Sequence, residues 1–185
     1  MKAFLKSLLL LITVTTVSAQ DLFDTFRNEQ AVNYLSINPM MFKLLGQMNI
    51  ETENEETAAY LKMIQSITSF KVLMTSDNDL SASLEKRQKK WIKEEGFDLL
   101  MQLNEDENQL WFYAVAGENE NIVKRLAMFV KSDELEDSIS IQGSPVESVF
   151  LLMEGNIDLE LIGKLTESMD LPGGTQLSKV QKIKT

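Results

Sequence analysis

Histidine and cysteine are both absent from the 185-residue sequence. The commonest general base, the commonest zinc ligand and the thiolate nucleophile are therefore missing together. This excludes most hydrolase triads and zinc hydrolase sites, and it excludes disulfides, so a hydrophobic core must hold the fold. Basic residues are also scarce, 18 Lys and Arg against 28 Asp and Glu, for a formal charge of −10. Such a balance repels nucleic-acid phosphates and anionic lipid over most of the surface, which argues against nucleic-acid binding. Beyond the first 19 residues no apolar run approaches the roughly 20 residues that a transmembrane helix needs.

Those first residues, MKAFLKSLLLLITVTTVSA, carry Lys2 and Lys6, an apolar centre from Leu8 to Ile12, and Val17, Ser18 and Ala19 where a signal peptidase reads. The expectation is an export signal over 1–19, cleaved after Ala19. A membrane anchor is the competing reading, but Thr13, Thr15 and Thr16 interrupt the apolar run. No cysteine follows to carry a lipid. Lys2 and Lys6 are the only charges in this segment, so its removal takes the formal charge from −10 to −12. The remainder is long enough for one domain with a core. It reads as a single α+β domain over 20–175 and a basic C-terminal tail over 176–185.

Periodicity outlines the elements. Leu22, Phe23 and Phe26 are spaced as on a helix, and Val32, Tyr34 and Ile37 as on a strand ending before Pro39. MMFKLLGQM predicts a helix with Met41, Leu44, Leu45 and Met48 on one side, and AAYLKMIQSI a second helix after the acidic connector NIETENEET. SFKVLMTS alternates Phe70, Val72 and Met74 against Lys71, Leu73 and Thr75, as a strand half buried on one face does. SDNDL can cap DLSASLEKRQKKWIKEEG, a helix with an apolar stripe of Leu80, Leu84, Trp91 and Ile92 that Gly96 ends.

From Phe97 the period becomes two. Phe97, Leu99, Met101 and Leu103 share one face, then LWFYAVA and NIVKRLAMFVKS follow after the turns NEDEN and GENEN, giving a three-stranded antiparallel meander. Val123, Arg125, Ala127 and Phe129 share a face in the last of these. An edge strand is expected at Ser138 to Ile141. Val149 to Met153 is a continuous apolar run, as in a strand buried on both faces. After a turn at Gly155-Asn156, Ile157, Leu161, Ile162, Leu165 and Met169 take helical spacing, with Asp158 and Glu160 at the helix start.

The segment FDTF…VNYLSINPMMFKLL, the central helix with its basic stripe, and the closing VFLLMEGNIDLELIGKL together resemble the DUF4252 family of small exported proteins, common in Bacteroidota. The likeness covers most of the chain after the leader and lies in hydrophobic pattern and turn positions. It implies an antiparallel sheet of about five to six strands with helices packed against it, and an envelope location. It carries no catalytic residues, because the family's function is uncharacterised.

Serine-lysine and paired-carboxylate chemistry need only residues this chain has, yet no serine sits in a GxSxG setting. Asp77, Asp79 and Ser81 mimic the first half of a calcium loop, but Ala82 and Gln88 stand where that loop needs Gly and Glu, so capping by Ser76 or Asp77 is the better reading. NEDEN and ENEN read as hairpin turns. The one dense basic cluster is Lys86, Arg87, Lys89, Lys90 and Lys93 on the central helix, a candidate partner-binding site set against the default of a solvated face. Trp91 beside it reads as core. Met40, Met41, Met48, Met101, Met128, Met153 and Met169 read as ordinary packing, with an adaptable groove as the alternative.

The function these features point to is non-enzymatic: an exported, soluble binding or interaction module of the envelope, with an envelope protein as partner, a place in envelope signalling, and no cofactor, metal or catalytic residue. The alternatives are a carrier of a small apolar ligand between sheet and helices, and behind it a carboxylate-based hydrolase.

Overall fold

A computed structural model of the protein describes residues 20–47, 55–105, 108–119, 121–131, 140–141 and 144–162. In chain order the elements are α1 (Gln20–Phe26), β1 (Val32–Ile37), α2 (Pro39–Gln47), α3 (Glu55–Ser66), β2 (Ser69–Thr75), α4 (Asn78–Glu94), β3 (Asp98–Glu105), β4 (Asn108–Ala116), β5 (Ile122–Lys131), β6 (Ser140–Ile141), β7 (Ser144–Pro145) and β8 (Ser148–Asp158). A helical turn, α5, follows at 159–162. Among the described residues no helix is long and apolar enough to cross a membrane.

Six strands form one antiparallel sheet in the order β1-β2-β8-β5-β4-β3, so the α+β architecture is as the sequence leads one to expect. The meander β3-β4-β5 pairs neighbours in the chain, whereas β8 returns from the C-terminal side to lie between β2 and β5. Its apolar run accordingly has both faces covered: Phe150 and Leu152 on one side, Val149 on the other, are all buried.

On one face, α1 and α4 cover the sheet. Leu22, Phe23 and Phe26 of α1 and Leu84, Trp91 and Ile92 of α4 pack with Leu73, Trp111, Tyr113, Phe129, Phe150 and Leu152. Rings meet throughout this layer: Phe23 to Phe150 at 5.7 Å, Trp91 to Phe150 at 5.8 Å, Trp111 to Phe129 at 5.6 Å. Full burial of each such side chain contributes about 1.5–3 kcal/mol. The opposite face has its own clusters, Leu110, Phe112, Ala114, Val123, Leu126 and Ile157 in one, Val72, Val146 and Val149 in the other.

That second layer corrects several expectations. β2 is not half buried on one face, since Val72 and Leu73, neighbours pointing to opposite sides, are both buried. Phe97, Leu99, Met101 and Leu103 do not share a face. The β3–β4 register slips between Leu99 and Met101, after which Met101 and Leu103 join the second core while Phe97 stays in the first and Leu99 is exposed. A slip between Val123 and Arg125 likewise puts Val123 in the second core. The expected edge strand at Ser138 to Ile141 is a separate pairing of β6 with β7, with 138 and 139 outside the described residues. α3 begins at Glu55, inside the presumed acidic connector, because acids are favoured in a helix's first turn.

The largest correction is at Gly155-Asn156, which is no turn. β8 continues through both residues to Asp158. Gly155 adopts φ 146°, and a β-carbon there would run into the Ser66 carbonyl and come within 2.9 Å of Ile67 Cα. The glycine thus lets the end of α3 rest on the strand, where the Thr68 amide donates to Glu154 O and the Ser66 hydroxyl to Asn156 O, both at 2.8 Å. The helix starts only afterwards, with Asp158 Oδ1 accepting from the amides of Glu160 and Leu161. Leu165, Met169 and the expected tail at 176–185 lie outside the described residues, as does the expected leader at 1–19.

Candidate functional site

Helix α4 carries the candidate basic cluster. Asp77 caps it, its Oδ1 accepting from the Leu80 amide at 2.8 Å, so the acid-rich SDNDL is a helix start. Its inward face is Ser81, Leu84, Gln88, Trp91 and Ile92. Trp91 is core, as expected. Ser81 and Gln88 were not anticipated: they occupy the gap in the apolar stripe between Leu80, Leu84 and Trp91, a spacing that already puts them on the buried side.

The five basic residues divide by their position around the helix. Arg87 lies over the Phe26 ring at 5.9 Å and ties α4 to α1. Lys89 reaches the other flank, 2.6 Å from Glu85 Oε1 and 5.2 Å above the Trp111 ring, while Lys131 approaches the second Glu85 oxygen at 3.4 Å. Lys90 pairs loosely with Glu94 at 3.7 Å in the open. Lys86 and Lys93 are exposed and make no ion pair among the described residues. Lys86, Lys90 and Lys93 therefore form the outer crest, whereas Arg87 and Lys89 serve the fold.

Burial alone would raise the Glu85 carboxyl, but the hydrogen bond and charge of Lys89, with Lys131, outweigh it and hold the group below the usual carboxylate range. Nearby, burial first and the Glu85 charge second push the Tyr113 hydroxyl up.

At the far end of α4, Arg125 of β5 gathers two acids. Its Nη1 is 2.9 Å from Glu95 and its Nε 3.2 Å from Glu154, and its guanidinium lies 4.6 Å from the Phe97 ring centre and 5.3 Å from that of Trp91. Two carboxylates converge here, but on an arginine held between aromatic rings. The arrangement braces the end of the helix against the sheet, with the arginine pairing both acids. Among the described residues no three His, Cys, Asp or Glu side chains gather as metal ligands do.

The feature that sequence periodicity misplaced is α2. Asn38 caps it through its side chain, accepting from the Met40 amide at 2.9 Å, and Pro39 opens the first turn. Met40 and Met41 were expected to be ordinary packing, with Leu44 and Leu45 on the same side as Met41. Instead Phe42 is buried, its ring 6.4 Å from Phe70 of β2, and the stripe points out. Met40, Met41, Leu44 and Leu45 are between 45 and 60 % exposed, and so is Leu35 of β1. Leu35 is paired with Val72 and Ile37 with Phe70, so Leu35 shares the side of the sheet on which α2 sits. Met48 lies outside the described residues. The reason for the misreading is that α2 has apolar residues nearly all round, and its pattern alone cannot say which side turns in.

This face also differs in charge. Residues 30–50 contain no acid in a chain with 28 of them, and Lys43 is their one formal charge. Elsewhere an open depression is lined by Asn119, Asn121, Ile122 and Asp158. Asn119 Oδ1 and Asp158 Oδ1 there accept from backbone amides.

No curated protein and no solved structure matches the chain. The profile of the DUF4252 family, a domain of unknown function, matches residues 26–165, and the chain belongs to that family.

Proposed function

We propose that the protein is an exported, non-enzymatic interaction module of the envelope, and that it meets its partner through the face built by β1 and α2. The observation that carries this reading is the outward stripe of α2, Met40, Met41, Leu44 and Leu45. Covering the exposed half of each such side chain gains on the order of 1 kcal/mol, so occupation of the stripe gains about 4 kcal/mol before the costs of association. Flexible methionine side chains suit a surface that adapts to what it binds. The carrier alternative has less support, because contacting rings fill the layer between α4 and the sheet. Arg125 occupies the one pair of converging acids described above, which weakens the hydrolase reading.

A second reading keeps the crest Lys86, Lys90 and Lys93 as a dock for an acidic partner, favoured by its outward position in an acidic chain. Photo-crosslinking in cells separates the two. A reactive residue at Leu44 should yield a discrete adduct, and one at Lys90 none. An adduct from Lys90 alone moves the site to α4, and silence at both positions defeats the interaction reading.

A further inference from the structure

We infer that the occupant of the β1–α2 face is a second copy of this chain, related by a two-fold axis, with β1 pairing antiparallel to its own counterpart. The inference rests on the reading of that face as an interaction surface and adds the identity of the partner.

The sheet has two edges, β1 and β3. Natural sheets blunt an exposed edge with a bulge, a charge or a proline. β3 carries such devices: its register breaks between Leu99 and Met101, and Asp98 opens it. β1 has none of them. All six of its residues, VNYLSI, pair with β2 without a break, and none is charged or proline. Among the described residues no strand pairs with its outer edge. An antiparallel strand edge is complementary to itself under a two-fold rotation, since each amide meets a carbonyl of the copy.

Charge permits two copies to meet at this face. Two copies of a chain with formal charge −10 repel one another wherever their acids meet. Residues 30–50 are one stretch without acids, and the single Lys43 of each copy faces a molecule of opposite net charge. Continuity of the sheet would bring the exposed Leu35 and the α2 stripe to the same seam, so strand pairing and apolar burial act together. The segment 32–47 is somewhat smaller than the roughly 20–30 residues a side of a standard interface, so the dimer should dissociate on dilution.

The test is sedimentation of the purified protein over a range of concentrations, beside Leu44→Glu, Met41→Lys and, as a control, Lys90→Glu. The wild type and Lys90→Glu should shift from monomer to dimer as concentration rises. Both α2 variants should stay monomeric with unchanged circular dichroism, because the side chains they replace are already half exposed. The chain has no cysteine, so any disulfide in a single-cysteine variant joins two copies. Oxidation of Asn33→Cys, Leu35→Cys or Ser36→Cys should give a covalent dimer, and that of the exposed Lys124→Cys should not. A wild type that is monomeric throughout, or a dimer indifferent to the α2 variants and the β1 cysteines, overturns the inference. A monomer that still gives a foreign adduct from Leu44 overturns self-pairing alone, while a monomer without any adduct overturns the interaction reading with it.

Discussion

Glu85 is a surface carboxylate turned into a fold contact by two cations, Lys89 one turn along α4 and Lys131 on β5. Its folded-state pKa is lowered, so the stability it contributes is present above the ordinary carboxylate range of about 4.3 and is lost as pH falls through the folded value. Glu85→Gln should cost at most about 1 kcal/mol at pH 7, since the group is partly exposed. Urea unfolding at pH 7 and at pH 3 checks this: the gap between wild type and variant should close in acid, and a gap that stays constant would mean the charge plays no part. The sequence shows Lys89 as one of five basic residues on a helix and cannot show that Lys131, 42 positions later, competes for the same carboxylate. A helical pattern gives the angle of a side chain around its axis but not the distant strand that meets it, and for that reason the five candidates separate into a crest and two flanks only in the fold.

At the scale of elements, the same distinction between near and far contacts explains what was legible. The meander is readable because each strand pairs with its neighbour across a short turn, and β8 because a strand covered on both faces is apolar without alternation. Gly155 was misread as a turn because its reason lies in α3, about ninety residues earlier in the chain, whose last turn needs room beside the strand. Gly155→Ala should therefore lower stability by more than about 2 kcal/mol, from a φ that L-residues rarely adopt together with a clash against backbone. Gly96→Ala is the comparison. It also has positive φ, at 70°, but nothing lies within 4 Å of the added carbon, so its loss should stay near 1 kcal/mol. Equal urea midpoints for the two variants would show that close approach at α3 has no energetic weight. α2 failed for the opposite reason, an excess of apolar residues that left its inward side undetermined by any pattern.

The whole molecule is one sheet with a core on each face, and the strands that serve one core serve the other. β5 gives Ala127 and Phe129 to the side covered by α1 and α4 and Leu126 to the opposite side, while β8 gives Phe150 and Leu152 to the first and Ile157 to the second. Alternation along a shared strand couples the two layers, because neither can lose its packing without the backbone that presents the other. Both tryptophans, Trp91 and Trp111, lie in the core under α1 and α4, so their fluorescence reports that side alone. Leu126→Ala empties a buried position on the far side and should cost about 2–5 kcal/mol. If the layers unfold together, tryptophan fluorescence and far-ultraviolet circular dichroism will show the same lowered thermal midpoint in the variant, by several degrees. A fluorescence midpoint that stays at the wild-type value while the dichroism shifts would mean that α1, α4 and their side of the sheet hold together without the second layer, and the molecule would then have to be treated as two cooperative units sharing a sheet.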